Sequence, residues 1–127
     1  AEGEGLDRET QDVLEAAAVT HDVGIRVCFE KYGSCDGQKQ ELEGPPIAEK
    51  LLPACGYAPA VCARVCYLIG HHHTYVGIDG ADYQILVEAD FLVNIFENGM
   101  AQEAARKIRD NIFKTKTGRK LLTDLYL

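Results

Sequence analysis

Three polar clusters interrupt an otherwise apolar pattern, and each carries side chains that bind cations or move protons. The first is the pair His21 and Asp22, at the end of an Ala-rich stretch. An imidazole beside a carboxylate offers nitrogen and oxygen donors in diverging directions, which suits a divalent ion. The second is the run His71, His72, His73, which closes an apolar segment. The third is Glu88, Ala89, Asp90, inside a stretch where Asp90 and Asn94 share one helix face among Leu86, Val87, Phe91 and Val93. A carboxylate in such surroundings is costly to bury without a cation or several hydrogen bonds. The sequence therefore predicts that a carboxylate of this stretch meets a counter-charge supplied from elsewhere in the chain. Cys62, Cys66 and His73 also fall on one side of a continuous helix. They lack the Cys-x-x-Cys spacing of structural zinc sites, so small buried thiols explain the cysteines better.

The elements that must position these groups read as helices throughout. Val13, Leu14, Ala16, Ala17 and Ala18 have the spacing of a helix buried on one side, with Asp7 as its N-cap and a check at Gly24. Residues 25–32 continue as a short helix or turn. Residues 33–43 are polar and contain glycine, which predicts a long ordered loop. Pro45 and Pro46 then open a helix striped by Ile47, Leu51 and Leu52 and ended by Gly56. Pro59 opens the next, which runs to the histidines. Helices follow over 83–97, 101–113 and 118–126, the first stopped by Gly99. Alternating strand patterns are missing. The expectation is a single all-α domain over 1–127, a bundle of about six helices.

Composition narrows the function classes. A chain of 127 residues with 46% hydrophobic residues folds as one globular unit and is not intrinsically disordered. Its apolar runs are too short for a membrane span. The net charge of −7 is unevenly spread: residues 1–105 carry 6 basic and 18 acidic side chains, residues 106–127 carry 7 and 2. An acidic body disfavours nucleic acid, which is held through many Lys and Arg contacts. The basic end reads mainly as a solvated helix face, with a phosphorylated ligand or an acidic neighbour as the other reading. Five cysteines cannot all pair within one chain, and no export-type segment opens it, so reduced thiols and a cytoplasmic location are expected.

The order of the clusters carries a resemblance. The segments THDVGI, IGHHHTY and VEADFLVN, with KYGS through QELEGPPIAEKLL between the first two, resemble the HD-domain metal-dependent phosphohydrolase superfamily. The match runs from about residue 14 to 98 and implies an HD-type helical bundle. It also implies His21, Asp22 and Asp90 as metal ligands, with Asp22 catalytic through its hold on the metal and on the attacking water. His72 and His73 match the paired histidines that hold a second ion in HD-GYP phosphodiesterases. The implied cofactor is one or two divalent ions (Fe, Mn, Zn, Co or Ni). The implied reaction is hydrolysis of a phosphate ester, with a nucleotide among the candidates. Lys31 and Lys39 flank the polar segment and would meet the phosphate of a small phosphorylated substrate. An oxygenase branch with a similar ligand set ranks below.

Two departures keep a second reading open. The family's first His ligand lies on a preceding helix, yet no His occurs before His21, and AEGEGLDRE resembles the turn after that helix. The expectation is that an upstream helix with a His belongs to this domain, and that without it residues 14–19 lack a partner and recruit a neighbouring chain as a homo-oligomer. Glu43 stands where the family often has His, and would offer an oxygen instead. A catalytically weak or inactive sensory or interaction domain on the same scaffold is the alternative.

Overall fold

The structure, a computed structural model, describes all 127 residues. A short 3-10 turn (Glu2–Glu4) precedes seven α-helices: α1 (Arg8–Thr20), α2 (Ile25–Tyr32), α3 (Gly37–Ala54), α4 (Pro59–Ile69), α5 (Ala81–Glu97), α6 (Gln102–Asn111) and α7 (Lys116–Tyr126). No strand is present, so the all-α expectation holds. No helix is long and apolar enough to cross a membrane.

Local chemistry explains most boundaries. Asp7 is extended and its carboxylate accepts the Thr10 amide at 2.8 Å, starting α1 as the sequence predicts. Pro59 occupies the first turn of α4, where its missing N–H leaves no bond unmade.

The segment before Pro45 is different. Residues 33–43 are not a long loop, and Pro45 and Pro46 do not start a helix: α3 begins at Gly37, capped by Asp36 accepting the Lys39 amide at 2.9 Å, and runs through both prolines. Interior prolines remove ladder bonds and normally break a helix. Here tertiary contacts hold the first two turns. Glu43 accepts from Lys31 and Tyr32 of α2, while Gln40 and Glu41 meet the loop after α4.

The main core lies between α1, α3, α4 and α5, around Leu14, Leu52, Leu68, Tyr83 and Leu86. A smaller one, Ile95, Ala105, Phe113 and Leu122, joins α6 and α7 to the end of α5. Where α3 crosses the corner between α1 and α2, two glycines let backbones touch. A Cβ on Gly24 would lie 2.9 Å from the Gly44 nitrogen, and one on Gly44 would lie 2.6 Å from Cγ2 of the fully buried Ile69. Gly44→Ala should therefore lower stability by about 1 kcal/mol, although alanine favours a helix, because overpacking typically costs 1–3 kcal/mol. The check is a reduced urea midpoint at unchanged m-value; an unchanged or raised midpoint would contradict this crossing.

Candidate metal centre

Two helix ends and one helix middle converge. The His21 amide bonds back to Ala17 at 2.7 Å, so His21 and Asp22 project from the end of α1. The turn after α4 carries the three histidines and is pinned by Tyr83, whose hydroxyl lies between the carbonyls of His71, at 2.7 Å, and Thr74. Asp90 faces both from the middle of α5. His21 Nε2 lies 3.2 Å from Asp22 Oδ2 and 3.4 Å from Asp90 Oδ1, while His72 Nε2 lies 3.8 Å from Asp22 Oδ1. The two carboxylate oxygens of Asp22 thus face different imidazoles.

Backbone carbonyls fix the tautomers. His72 Nδ1 sits 2.7 Å from the Ile69 carbonyl and must carry hydrogen there, which leaves Nε2 with its lone pair when the ring is neutral. That Nε2 is fully buried and has no hydrogen-bond partner, since 3.8 Å to Asp22 is too long for one. A buried polar atom without a partner is a rare exception that asks for a cause. His21 Nδ1 likewise donates to the Ala18 carbonyl at 2.9 Å, so Nε2 faces two carboxylates. A bare lone pair against two anions is repulsive, so a proton or a metal ion must sit between them. With a proton there, burial disfavours the imidazolium, but hydrogen bonds to Asp22 and then Asp90 outweigh it and push the His21 pKa up to about 10. The His21 imidazole first, and the His72 imidazole second, hold Asp22 well below the usual carboxylate range against its partial burial.

His73 joins the cluster from the other side. Asp22, His72 and His73 each present a donor atom, and these lie within 4.8 Å of one another. Nε2 of His73 is 3.1 Å from Gln40 Oε1, and burial pushes its pKa down, favouring the neutral ring a metal needs. His71 is turned away: it donates to the Tyr67 carbonyl and stacks on the Tyr67 ring at 4.0 Å.

Several expected roles fall elsewhere. The fully buried carboxylate of α5 is Glu88, not Asp90, whose side chain is 14% exposed. Glu43 turns towards α2, accepting from Lys31 Nζ at 3.0 Å and the Tyr32 hydroxyl at 2.8 Å. Lys39 bonds to Ser34 and Asp36, so both lysines have side-chain partners in this structure. Cys62 and Cys66 meet backbone carbonyls of Tyr57 and Pro45 rather than His73, and all five thiols are free. Sequence reasoning missed Gln40 and Glu41, the latter accepting the Thr74 hydroxyl at 2.8 Å. Their signal was the Asp36 cap, which starts α3 early enough to bring them to the histidine turn.

A groove of about 250 Å³ between α1 and α5 opens onto His21, Asp22 and Asp90. Val19, which faces a separate depression with Leu51, Cys55 and Tyr57, is 87% exposed, while Leu14 is buried in the core. Comparison with protein-family models, with curated proteins and with solved structures finds no match to this chain.

Proposed function

We propose that this domain is a divalent-metal-dependent phosphohydrolase acting on a phosphate ester. The observation that carries the reading is the unpartnered Nε2 of His72, buried beside an Asp22 carboxylate whose other oxygen faces His21, which in turn meets Asp90. Two imidazole nitrogens and two carboxylates suit Fe, Mn, Zn, Co or Ni better than Ca or Mg. An ion held there would polarise phosphoryl oxygens and acidify a water. His21, Asp22 and Asp90 form one donor group, and His72 and His73 with Asp22 form a second, which gives room for one or two ions. Asp22 belongs to both groups and is the residue best placed to orient the attacking water. No Lys or Arg lines the groove beside these donors, so charge neutralisation of a phosphate falls to the ion itself.

The second reading, a sensory or interaction domain with little turnover, draws on Glu43. That carboxylate is committed to Lys31 and Tyr32 instead of the centre, which leaves the donor set short. Elemental analysis together with hydrolysis of bis(p-nitrophenyl) phosphate in Mn²⁺ separates the two. Bound metal with turnover that falls at least tenfold in Asp22→Ala supports the hydrolase. Bound metal without turnover on this or on p-nitrophenyl phosphate moves the sensory reading ahead. A chain that takes up no divalent ion sinks both metal roles.

A further inference from the structure

The groove between α1 and α5 has a chemical polarity of its own. His21, Asp22 and Asp90 meet at one part of it, beside Leu86 and Ala89. From Asp90 towards the C-terminal end of α5 the lining continues through Val93 and Asn94, within about one turn, to Glu97 at the far end. Asp90 and Glu97 are seven residues apart, about 10 Å along the helix axis. Ala18 of α1 forms a small apolar wall opposite. No Lys or Arg lines the groove anywhere.

Glu97 stands out by position. It lies in the last turn of α5, where the helix dipole disfavours a carboxylate, and no basic residue shares that turn. It is exposed and forms neither an ion pair nor a side-chain hydrogen bond, although most other acidic groups near helices here have partners. A local rule broken without compensation is what a binding position shows.

We propose that this groove holds the substrate, and that Asn94 and Glu97 select a phosphate monoester whose far end is an uncharged or cationic hydrogen-bond donor. This rests on the metal-dependent reading of the adjoining centre. The phosphate lies at the His21, Asp22 and Asp90 end, where an ion balances its charge. A spacer of about 10 Å runs past Val93 from Asp90 towards Glu97. A hydroxyl or amine then meets two acceptors, the Asn94 amide oxygen and the Glu97 carboxylate. A second phosphate or a carboxylate at that distance would face Glu97 with no cation to receive it, so diphosphates and polyanions are rejected.

The test uses the full chain loaded with Mn²⁺ and two probes of matched length, ω-aminohexyl phosphate and ω-carboxypentyl phosphate, with affinity read by calorimetry. The amine should bind about tenfold tighter, the ratio a single favourable against unfavourable charge contact gives near a protein surface. Glu97→Lys, at an exposed position, should keep Mn²⁺ affinity and reverse the preference. Val93→Phe, which fills the stretch between Asp90 and Glu97 at an exposed position, should weaken both probes while leaving Mn²⁺ uptake unchanged. Equal affinities in the unaltered chain, or a preference that Glu97→Lys leaves in place, would overturn the proposal. A chain that binds no Mn²⁺ instead removes the reading beneath it, and that result is visible before either probe is added.

Discussion

Glu88→Ala is expected to cost about 3–5 kcal/mol of unfolding free energy, more than any surface change in this chain. Glu88 is 2% exposed, and four donors surround its carboxylate: Gln84 Nε2, the amides of Lys114 and Thr115, and the Thr115 hydroxyl at 2.6 Å. None of these groups is a cation, so the buried charge is balanced by dipoles from the turn that starts α7. Truncation strands the donors without an acceptor, and each buried unsatisfied group carries about 1–3 kcal/mol. The same carboxylate crowds Gly118, where a Cβ would collide with Oε1, so the turn is built around this residue. Glu88→Gln keeps the shape and one acceptor oxygen, and should cost about half as much, because its amide faces a Thr115 hydroxyl that already accepts from Gly118. Urea unfolding measures both. A loss below about 1 kcal/mol for Glu88→Ala would mean that α6 and α7 do not depend on this contact. Mn²⁺ affinity serves as the control, since Asp90 projects towards His21 and not towards this turn.

The contrast between Glu88 and Asp90 shows where sequence reading reached and where it stopped. Apolar spacing located α1, α4 and α5 because each buries a stripe, and Asp7 and Pro59 marked starts by local chemistry alone. The convergence of His21, Asp22 and Asp90 was legible through the ordered resemblance of THDVGI, IGHHHTY and VEADFLVN, because a carboxylate within an apolar helix demands a partner without saying which one. Which carboxylate would be most deeply buried was not legible. Glu88 and Asp90 are two apart and leave the helix on different sides, and its neighbours on the α7 turn come from about 27 residues later. The start of α3 failed for a similar reason. Pro45 and Pro46 are strong local signals, but Gly24, Gly44 and the contacts of Gln40, Glu41 and Glu43 outvote them, and those partners lie on α2 and the histidine turn. The His72 orphan could not be read at all, because the Ile69 carbonyl that fixes its tautomer is a backbone atom.

Metal affinity should rise with pH by close to tenfold per unit between about 7 and 9, because a divalent ion must displace the proton that His21 holds between Asp22 and Asp90. The His21 pKa, raised from 6.5 to about 10, means that nearly every metal-free molecule carries this proton at neutral pH. Uptake should therefore release close to one proton per ion at pH 7.5, measured by calorimetry in buffers of different ionisation enthalpy. The sign for the metal-free protein is opposite. A histidine whose folded pKa is raised contributes stability in full below 6.5 and loses it as pH climbs towards 10, so the metal-free Tm should fall between pH 7.5 and 10. The metal-loaded protein has already given up the proton and should not show that fall. Asp22, held low by the same contact, contributes stability that is kept above the ordinary carboxylate range and lost only in strong acid. Asp22→Asn removes the larger of the two carboxylate partners of His21, which should flatten the pH slope and weaken the ion together. Proton release near zero at pH 7.5, with normal metal affinity, would place the ion away from His21 and leave the His72 and His73 side of Asp22 as the binding position.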